Sequence, residues 1–495
     1  MTSPASHTNP ALHEDPRRWK ALGVLGLIQF MLILDITVVN VALPRIQDDL
    51  HFSESGLAWV VNGYVLAAGG LLLLGGRVAD LFGRRRMFLI GVTVFALASA
   101  LCGSAVAPGM LVVSRFVQGM GEAMAAPASL GLVALLFPDA KERAKALGIF
   151  GGIAGLGGVS GSVISGVLVD YVSWRWIFFI NLPVAAFALL AVPRLVRESR
   201  MERDGAPRPD FFGAIIGTAG LVTIVDGLLN AATHPWGDWQ VLLPLLGGVG
   251  LLGLMVVVEA RSSSPLIPLE FFKNRTRVVT NGVTLFFSSG FFCYFFVMTL
   301  FLQQVLGYSP IKAGLCYVPF GVTIGVAIGV GTALMARIGV KALLGTGFLL
   351  SGVGLYLSST ISVSSSYAGH ILPGMLVLAF GSGMAFPAIG NAALHQVDQQ
   401  NSSLASGVQA AMQQVGGAIG LACLVTFGLR LAGHQMASGT RADVASTHGY
   451  VLTLHIGAIL LAIGAVLVFL FLEHVAATHE GAEDLGEDLA EVASA

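Results

Sequence analysis

Residues Gly76-Arg77-Val78-Ala79-Asp80-Leu81-Phe82-Gly83-Arg84-Arg85-Arg86 separate two long apolar runs, 57–75 and 87–106. Four arginines and an aspartate in eleven residues belong outside hydrocarbon, where a charge is expensive to bury. Each flanking run is close to the 20 or so apolar residues that a helix needs to cross a bilayer. The stretch therefore reads as a short polar loop joining two membrane spans, with a turn at Gly83.

The same ruler applied outward predicts fourteen spans: 19–43, 57–75, 87–106, 109–136, 145–170, 177–193, 211–230, 240–259, 278–303, 311–335, 340–360, 367–394, 404–430 and 449–473. Composition agrees: the 495 residues are 55% hydrophobic and only 11% charged, where soluble proteins carry about 25% charged residues. A soluble multidomain enzyme is thereby excluded, and a net charge of −1 argues against nucleic-acid binding. Gly accounts for 63 residues, which suits helices packed closely in a membrane. The run after Arg17, Arg18 and Lys20 is too long for a signal-peptide core, so it is read as a span that stays.

Charge sets the orientation. With fourteen spans both termini share one side, which receives 21 of the 27 Lys and Arg residues, against 5 on the other side and Arg115 within a span. The positive-inside rule places that basic side, and both termini, in the cytoplasm.

The halves echo each other. Leu50-His51-Phe52-Ser53 followed by Gly56-Leu57 is matched by Leu306-Gly307-Tyr308-Ser309 followed by Gly314-Leu315, and Gly83-Arg84 by Gly339-Val340. The organisation that follows is a cytoplasmic tail 1–18, a six-helix bundle 19–193, a cytoplasmic linker 194–210 and two extra spans 211–259. A cytoplasmic loop 260–277, a second six-helix bundle 278–473 and an acidic cytoplasmic tail 474–495 complete it. Spans seven and eight are thus an insert between two parallel repeats, an arrangement known in transporters.

Charges inside spans carry the chemistry. Asp35 lies in span one; Arg115 and Glu122 share a face of span four with Gln118. Counting about 1.5 Å per residue from the outer ends of spans one and four puts Asp35 and Arg115 at a similar depth. Glu122 reads either as a proton carrier or as half of an ion pair that locks packing. Cys102, Cys293, Cys316 and Cys423 lie in apolar stretches with no C-x-x-C pair, and no His/Cys/Asp cluster has metal spacing. Phosphate-binding and nucleophile-elbow motifs are missing from the sequence, so neither an enzyme nor an ATP-driven machine is expected.

The 76–86 loop resembles the G-x-L-a-D-r-x-G-r-r motif of the major facilitator superfamily, with Leu81 in place of a basic residue. Leu34-Asp35-Ile36-Thr37-Val38-Val39-Asn40-Val41-Ala42-Leu43-Pro44 resembles the span-one signature of that superfamily's fourteen-helix drug:proton antiporter branch. Arg115-Phe116-Val117-Gln118-Gly119 is similar to its R-x-x-Q-G motif. Gly148, Gly157, Gly161 and Gly166 keep the glycine spacing of its antiporter helix, with Ser162 and Ser165 replacing Pro and Gly. Trp174-Arg175-Trp176-Ile177-Phe178-Phe179-Ile180-Asn181-Leu182-Pro183 and Leu302-Gln303-Gln304-Val305-Leu306-Gly307-Tyr308-Ser309-Pro310 also match this branch.

The resemblance implies an all-α polytopic fold of two six-helix bundles plus two extra helices, working by alternating access. It implies proton-coupled efflux of lipophilic drugs or antibiotics across a bacterial inner membrane, with no cofactor. Asp35, Arg115 and Glu122 would couple protons, and Gly76, Asp80, Gly83, Arg84 and Arg85 would form a gating loop. Met31, Asn40, Tyr64, Gln118 and Tyr294 are candidates for the substrate cavity. With Asp35 and Glu122 as its carboxylates, the cavity should take small lipophilic or monovalent cationic substrates. A monomer is compatible with the sequence. Two alternatives stay open: a proton-coupled uptake symporter of the same fold, and a non-transporting scaffold or sensor.

Overall fold

The computed structural model describes residues 17–199, 210–262, 265–397 and 402–473. The acidic tail, residues 1–16 and residues 200–209 of the linker lie outside the described residues. Among the described residues every regular element is helical. The first half holds α1 (Arg17–Leu50), α2 (Glu54–Phe82), α3 (Arg84–Gly103), α4 (Pro108–Leu136) and α5 (Ala140–Tyr171). A short α6 (Trp176–Phe179) then runs into α7 (Asn181–Leu195). The insert is α8 (Phe211–Asn230) and α9 (Trp239–Arg261). The second half is α10 (Arg275–Leu300), α11 (Pro310–Cys316), α12 (Val318–Ser358), α13 (Leu372–Ala393), α14 (Ser402–Ala437) and α15 (Ala442–Phe471).

Starts follow side-chain chemistry. Ser53, Asp139, Asp210, Asp238, Asn274 and Ser309 each accept a backbone N–H from the first turn of α2, α5, α8, α9, α10 and α11, satisfying donors that a helix leaves free. Among the described residues, thirteen helical stretches are long and apolar enough to cross a membrane. One of them, Pro310–Ser358, has 49 residues, about 74 Å at 1.5 Å per residue, more than twice a hydrocarbon core of about 30 Å. It breaks at Gly339, with φ 78° and ψ 165°. Two spans result, and the total is fourteen.

Backbone conformation exposes the repeat. His51 and Gly307 have φ of 55° and 67°, and Gly83 and Gly339 have φ of 107° and 78°. Ser53 and Ser309 both cap a helix. Each pair is 256 residues apart (307−51, 309−53 and 339−83). The hinge after span two and the hinge after span ten therefore use the same device, a residue without Cβ in a region of φ that other residues avoid.

The helices α1 to α7 pack into one bundle and α10 to α15 into the other. The bundles meet through α1 with α10, α2 with α14, and α5 with α11 and α12. Contacts concentrate at the end away from Gly83, here termed the far end. There Gln303 Nε2 donates to Val41 O at 2.8 Å, Gln304 Nε2 to Gln47 Oε1 at 2.9 Å, and Ile311 N to Asp170 Oδ2 at 2.9 Å. Both glutamines sit on a π-helical turn, Phe301–Val305, that continues α10. Toward the opposite, basic end, Gly148, Gly151, Gly152 and Gly155 on α5 and Gly325 and Gly329 on α12 are exposed. A Cβ on any of them would meet no atom within 4 Å. The α5–α12 seam thus closes at the far end and parts toward the basic end, whereas α2 and α14 stay packed there, with Leu73 2.8 Å from where a Cβ on Gly407 would be.

The insert does not stand apart. Helix α8 packs on α2 of the first half and on α14 of the second. Thr426 Oγ1 donates to Leu228 O at 2.7 Å, and Arg430 Nη1 donates to Ala231 O and His234 O at 2.7 and 2.9 Å.

Candidate functional site

Asp35 and Arg115 meet at the middle of the first bundle. Helix α1 carries Asp35 and α4 carries Arg115. The Arg115 Nη1 donates to Asp35 Oδ2 at 2.5 Å, and the two side chains are 2% and 0% exposed. A buried charge pair is tolerable only when the remaining donors and acceptors are also satisfied, and here both Asp35 oxygens accept while Arg115 donates from Nε and Nη1. Arg115 Nη1 also reaches Gln118 Oε1 at 2.7 Å, and its Nε donates to Val60 O at 3.0 Å. The guanidinium lies 4.1 Å from the centre of the Tyr64 ring, a favourable cation–π placement.

Around Asp35 the donors come from two helices. Gln118 Nε2 on α4 and Asn181 Nδ2 on α7 both donate to Asp35 Oδ1, at 2.8 and 2.9 Å. Ser99 on α3 accepts from both amides, at 3.2 and 3.0 Å, and donates to Phe178 O at 3.0 Å. Five side chains on four helices thus form one network. Gln118 enters it through the i, i+3 spacing that puts it beside Arg115. Asn181 lies in the Trp174–Pro183 motif, which was the signal for it; Ser99 has no signal in the sequence.

Glu122, two turns along α4 from Arg115, is 6% exposed. It neighbours Tyr64 and shares its electrostatic environment with Asp35 and Arg115. Its Oε2 is buried and has no hydrogen-bond partner among the described residues. Tyr64 thus lies between Arg115, which is paired with Asp35, and the Glu122 carboxylate.

The other cavity candidates are placed differently. Met31, Tyr64, Gln118 and Tyr294 are packed away from solvent, because each faces its own bundle's interior. Asn40 is half-buried and donates to Ile36 O at 3.2 Å. In the second bundle Phe291, Phe295, Phe320 and Phe386, from α10, α12 and α13, form a run of ring contacts with centroids 5.0 to 6.0 Å apart. Phe291, Phe292 and Phe295 keep part of their surface exposed.

At the basic end the loop residues are tied down. Asp80 accepts from Arg84 Nε at 2.8 Å, and Arg84 Nη1 donates to Gly131 O at 3.1 Å. The free N–H groups that open α3, those of Arg85 and Arg86, donate to the two oxygens of Glu198, each at 3.1 Å. Arg85 Nη1 reaches Val196 O at 3.1 Å. Residues 196–199, within the expected cytoplasmic linker 194–210, are thus tied to the start of α3. A carboxylate at a helix N-terminus is stabilising, which is the physical reason this segment docks. Gly76 is half-buried on α2.

Along the antiporter-like helix, Gly157 and Gly161 face α1, and a Cβ on Gly157 would lie 2.8 Å from Phe30 O. Gly166 faces the second half, with Ile311 Cα 2.6 Å from where a Cβ would be. Gly148 has open space around it. Ser165, in place of a family glycine, donates to Val38 O at 2.5 Å.

Comparison with known proteins agrees with this architecture. The family model described as Major Facilitator Superfamily matches residues 25–421. The chain is 37% identical over 470 residues to the puromycin resistance protein pur8 of Streptomyces alboniger, covering 93% of this chain and 92% of that one. It is 38% identical over 419 residues to the lincomycin resistance protein of Streptomyces lincolnensis, covering 83% and 84%. It is 36% identical over 431 residues to the cephamycin export protein CmcT of Amycolatopsis lactamdurans, covering 87% and 88%. Among solved structures, a bacterial homologue of the human lysosomal transporter Spinster, inward-facing and unoccupied, superposes with a TM-score of 0.66 at 16% identity, covering 92% and 97%. A chain with fourteen spans, this fold and these relatives is a multi-pass membrane transporter rather than an enzyme, and it belongs to the Major Facilitator Superfamily.

Proposed function

We propose that this protein exports lipophilic antibiotics or drugs, each outward step being driven by protons that move inward. The relatives' names supply the substrate class: three of them concern resistance to, or export of, an antibiotic. The observation that carries the coupling is the fully buried Asp35 held by Arg115. Protonating Asp35 removes one charge of a buried pair, and leaving the other charge uncompensated costs about 3–5 kcal/mol. Arg115 cannot release a proton to relieve this. It must find another anion or move, and Glu122 stands on its own helix across Tyr64. Exchange of Arg115 between Asp35 and Glu122 would give the bundle two arrangements selected by one proton.

The half-buried aromatic run of the second bundle suits varied apolar substrates, while the Asp35 cluster lies buried within the first. Small lipophilic or monovalent cationic molecules fit this combination; protons and the surrounding lipid are the other partners, and a monomer suffices. No cofactor enters the scheme. By the positive-inside rule the basic end faces the cytoplasm of a bacterial inner membrane, with both termini there. In that orientation the α5–α12 seam is open toward the cytoplasm.

The test is a susceptibility panel in a host stripped of its own pumps, with and without an uncoupler. Wild-type protein should confer resistance that the uncoupler abolishes. Equal accumulation of every compound with and without the protein would overturn the reading. In vesicles, proton-driven movement of substrate toward the cytoplasmic side would replace export with uptake.

A further inference from the structure

Helix α5 carries Ser162, Gly166 and Asp170 at i, i+4 and i+8, so the three share one face. Toward the far end α5 packs on α11 of the second half. A Cβ on Gly166 would lie 2.6 Å from Ile311 Cα, and one on Gly314 would run into Ser162 O. The two backbones thus approach as closely as small residues allow. No side chain of Gly166 or Gly314 interlocks across this contact, so it can part and close again without a rotamer change.

A polar link stands one turn beyond. Pro310 opens α11 and brings no N–H, so the first amides that the helix leaves free are those of Ile311 and Lys312. Ser309 Oγ accepts from Lys312 N at 3.4 Å, within its own half. Ile311 N instead donates to Asp170 Oδ2 at 2.9 Å, across to the other half. Asp170 is half-buried; Arg175 is paired with Asp49, and Lys312 lies over the Tyr308 ring. The other two links described at this end, Gln303 to Val41 O and Gln304 to Gln47, are neutral. Asp170 therefore supplies the one charged hydrogen bond of the three, and such bonds are roughly twice as strong as neutral ones.

We propose that Asp170 is the latch of the far end: a positioning residue whose charge holds the start of α11, and with it the second half, against α5. Its carboxylate keeps part of its surface exposed, and the Ile311 amide lies on the first turn of its helix. Water can take both groups when the halves separate, so the bond can break and re-form in every cycle. Toward the other end of the same helix Gly151 and Gly152 face open space, as does Gly329 on α12. Helix α5 is thus tied at one end and free at the other. Loosening the latch should open the far end while the α5–α12 seam closes. The latch does not depend on the export reading, because an importer of this fold must open the same end.

The experiment uses the full chain in nanodiscs, without substrate or proton gradient, in a Cys423→Ser background whose other cysteines are buried. Spin labels report on each end separately. Val172→Cys with Val363→Cys reads the far end, and Gly151→Cys with Gly329→Cys reads the α5–α12 seam; all four positions are exposed. The readout is the distribution of label-to-label distances. Asp170→Asn keeps the shape but not the charge. It should raise the ratio of molecules open at the far end to molecules closed there by about fivefold, lengthening the far-end distance and shortening the seam distance. Asp170→Glu keeps the charge, and its ratio should stay within about twofold of wild type. Unchanged distances in Asp170→Asn would overturn the proposal. So would lengthening at both ends together, which loosened packing would give, or an equal shift in Asp170→Glu.

Discussion

Asp35 gives up all contact with water and receives three donors in return, one charged and two from amides. Two of those donors decide what substitutions should do. In Asp35→Asn the side chain keeps its shape but loses its charge, and Arg115 loses its counterion. Uncoupler-sensitive efflux should stop while substrate binding persists; efflux against a gradient at the wild-type rate would transfer the role to Glu122. Arg115→Lys should also uncouple, since one ammonium cannot serve Asp35, Gln118 and Val60 O together. Asn181→Ala removes a neutral donor and should lower stability by about 1–3 kcal/mol, read as a lower unfolding temperature in detergent. Unchanged unfolding would mean that water replaces the amide. Sequence shows Asp35, Arg115 and Gln118 because an intramembrane charge stands out and helical spacing predicts its neighbours. Ser99 is invisible there: a lone serine in an apolar span looks the same whether it closes a network or packs against lipid.

Element boundaries follow from composition almost everywhere, because hydrocarbon punishes polar residues more strictly than a soluble core does. The break inside Pro310–Ser358 is legible from the 256-residue echo of Gly83 in Gly339, although the helix itself runs on nearly without interruption. Both glycines hold φ values where a Cβ costs about 1–3 kcal/mol of strain. Gly83→Ala and Gly339→Ala should each lower thermal stability by that order, and Gly83→Ala by more, since its Cβ would also press on the Glu198 carboxylate. Equal stability of both variants and wild type would show that the hinges relax without strain. The docking of Glu198 was hidden in sequence by its charged surroundings, where one carboxylate resembles the next. Glu198→Gln keeps an acceptor but removes the charge from the α3 terminus. Its effect should be about 0.3–1 kcal/mol at low salt and should shrink as salt is added; a salt-independent loss would assign the contact to hydrogen bonding alone.

At the scale of the whole molecule, the two seams between the bundles are unlike. One, between α5 and α12, opens at the basic end; the other, between α2 and α14, is covered by α8. The sequence shows an insert of two spans but not where it docks, because docking depends on contacts between small surfaces, such as Gly70 against Thr218, which leave no periodic mark. Reporter fusions after residues 106, 208, 235 and 480 should read out, in, out, in; a cytoplasmic signal at 235 would mean that α8 and α9 do not cross. A helix fixed to both halves must flex or release whenever they rock. Its fixed point on the second half is the C-terminal end of α8, where Arg430 donates to Ala231 O at the helix cap and to His234 O in the turn that follows. Hydrogen bonds from a charged donor contribute about 1.5–3 kcal/mol. Arg430→Ala should therefore speed amide hydrogen exchange across residues 228–240 by about ten- to hundredfold, while the Asp35 network keeps its protection. Thr426 would still hold Leu228 O, so the strap should loosen at its end and remain in place. If exchange there is unchanged, α8 is anchored by packing alone, and the seam it covers stays shut throughout the transport cycle.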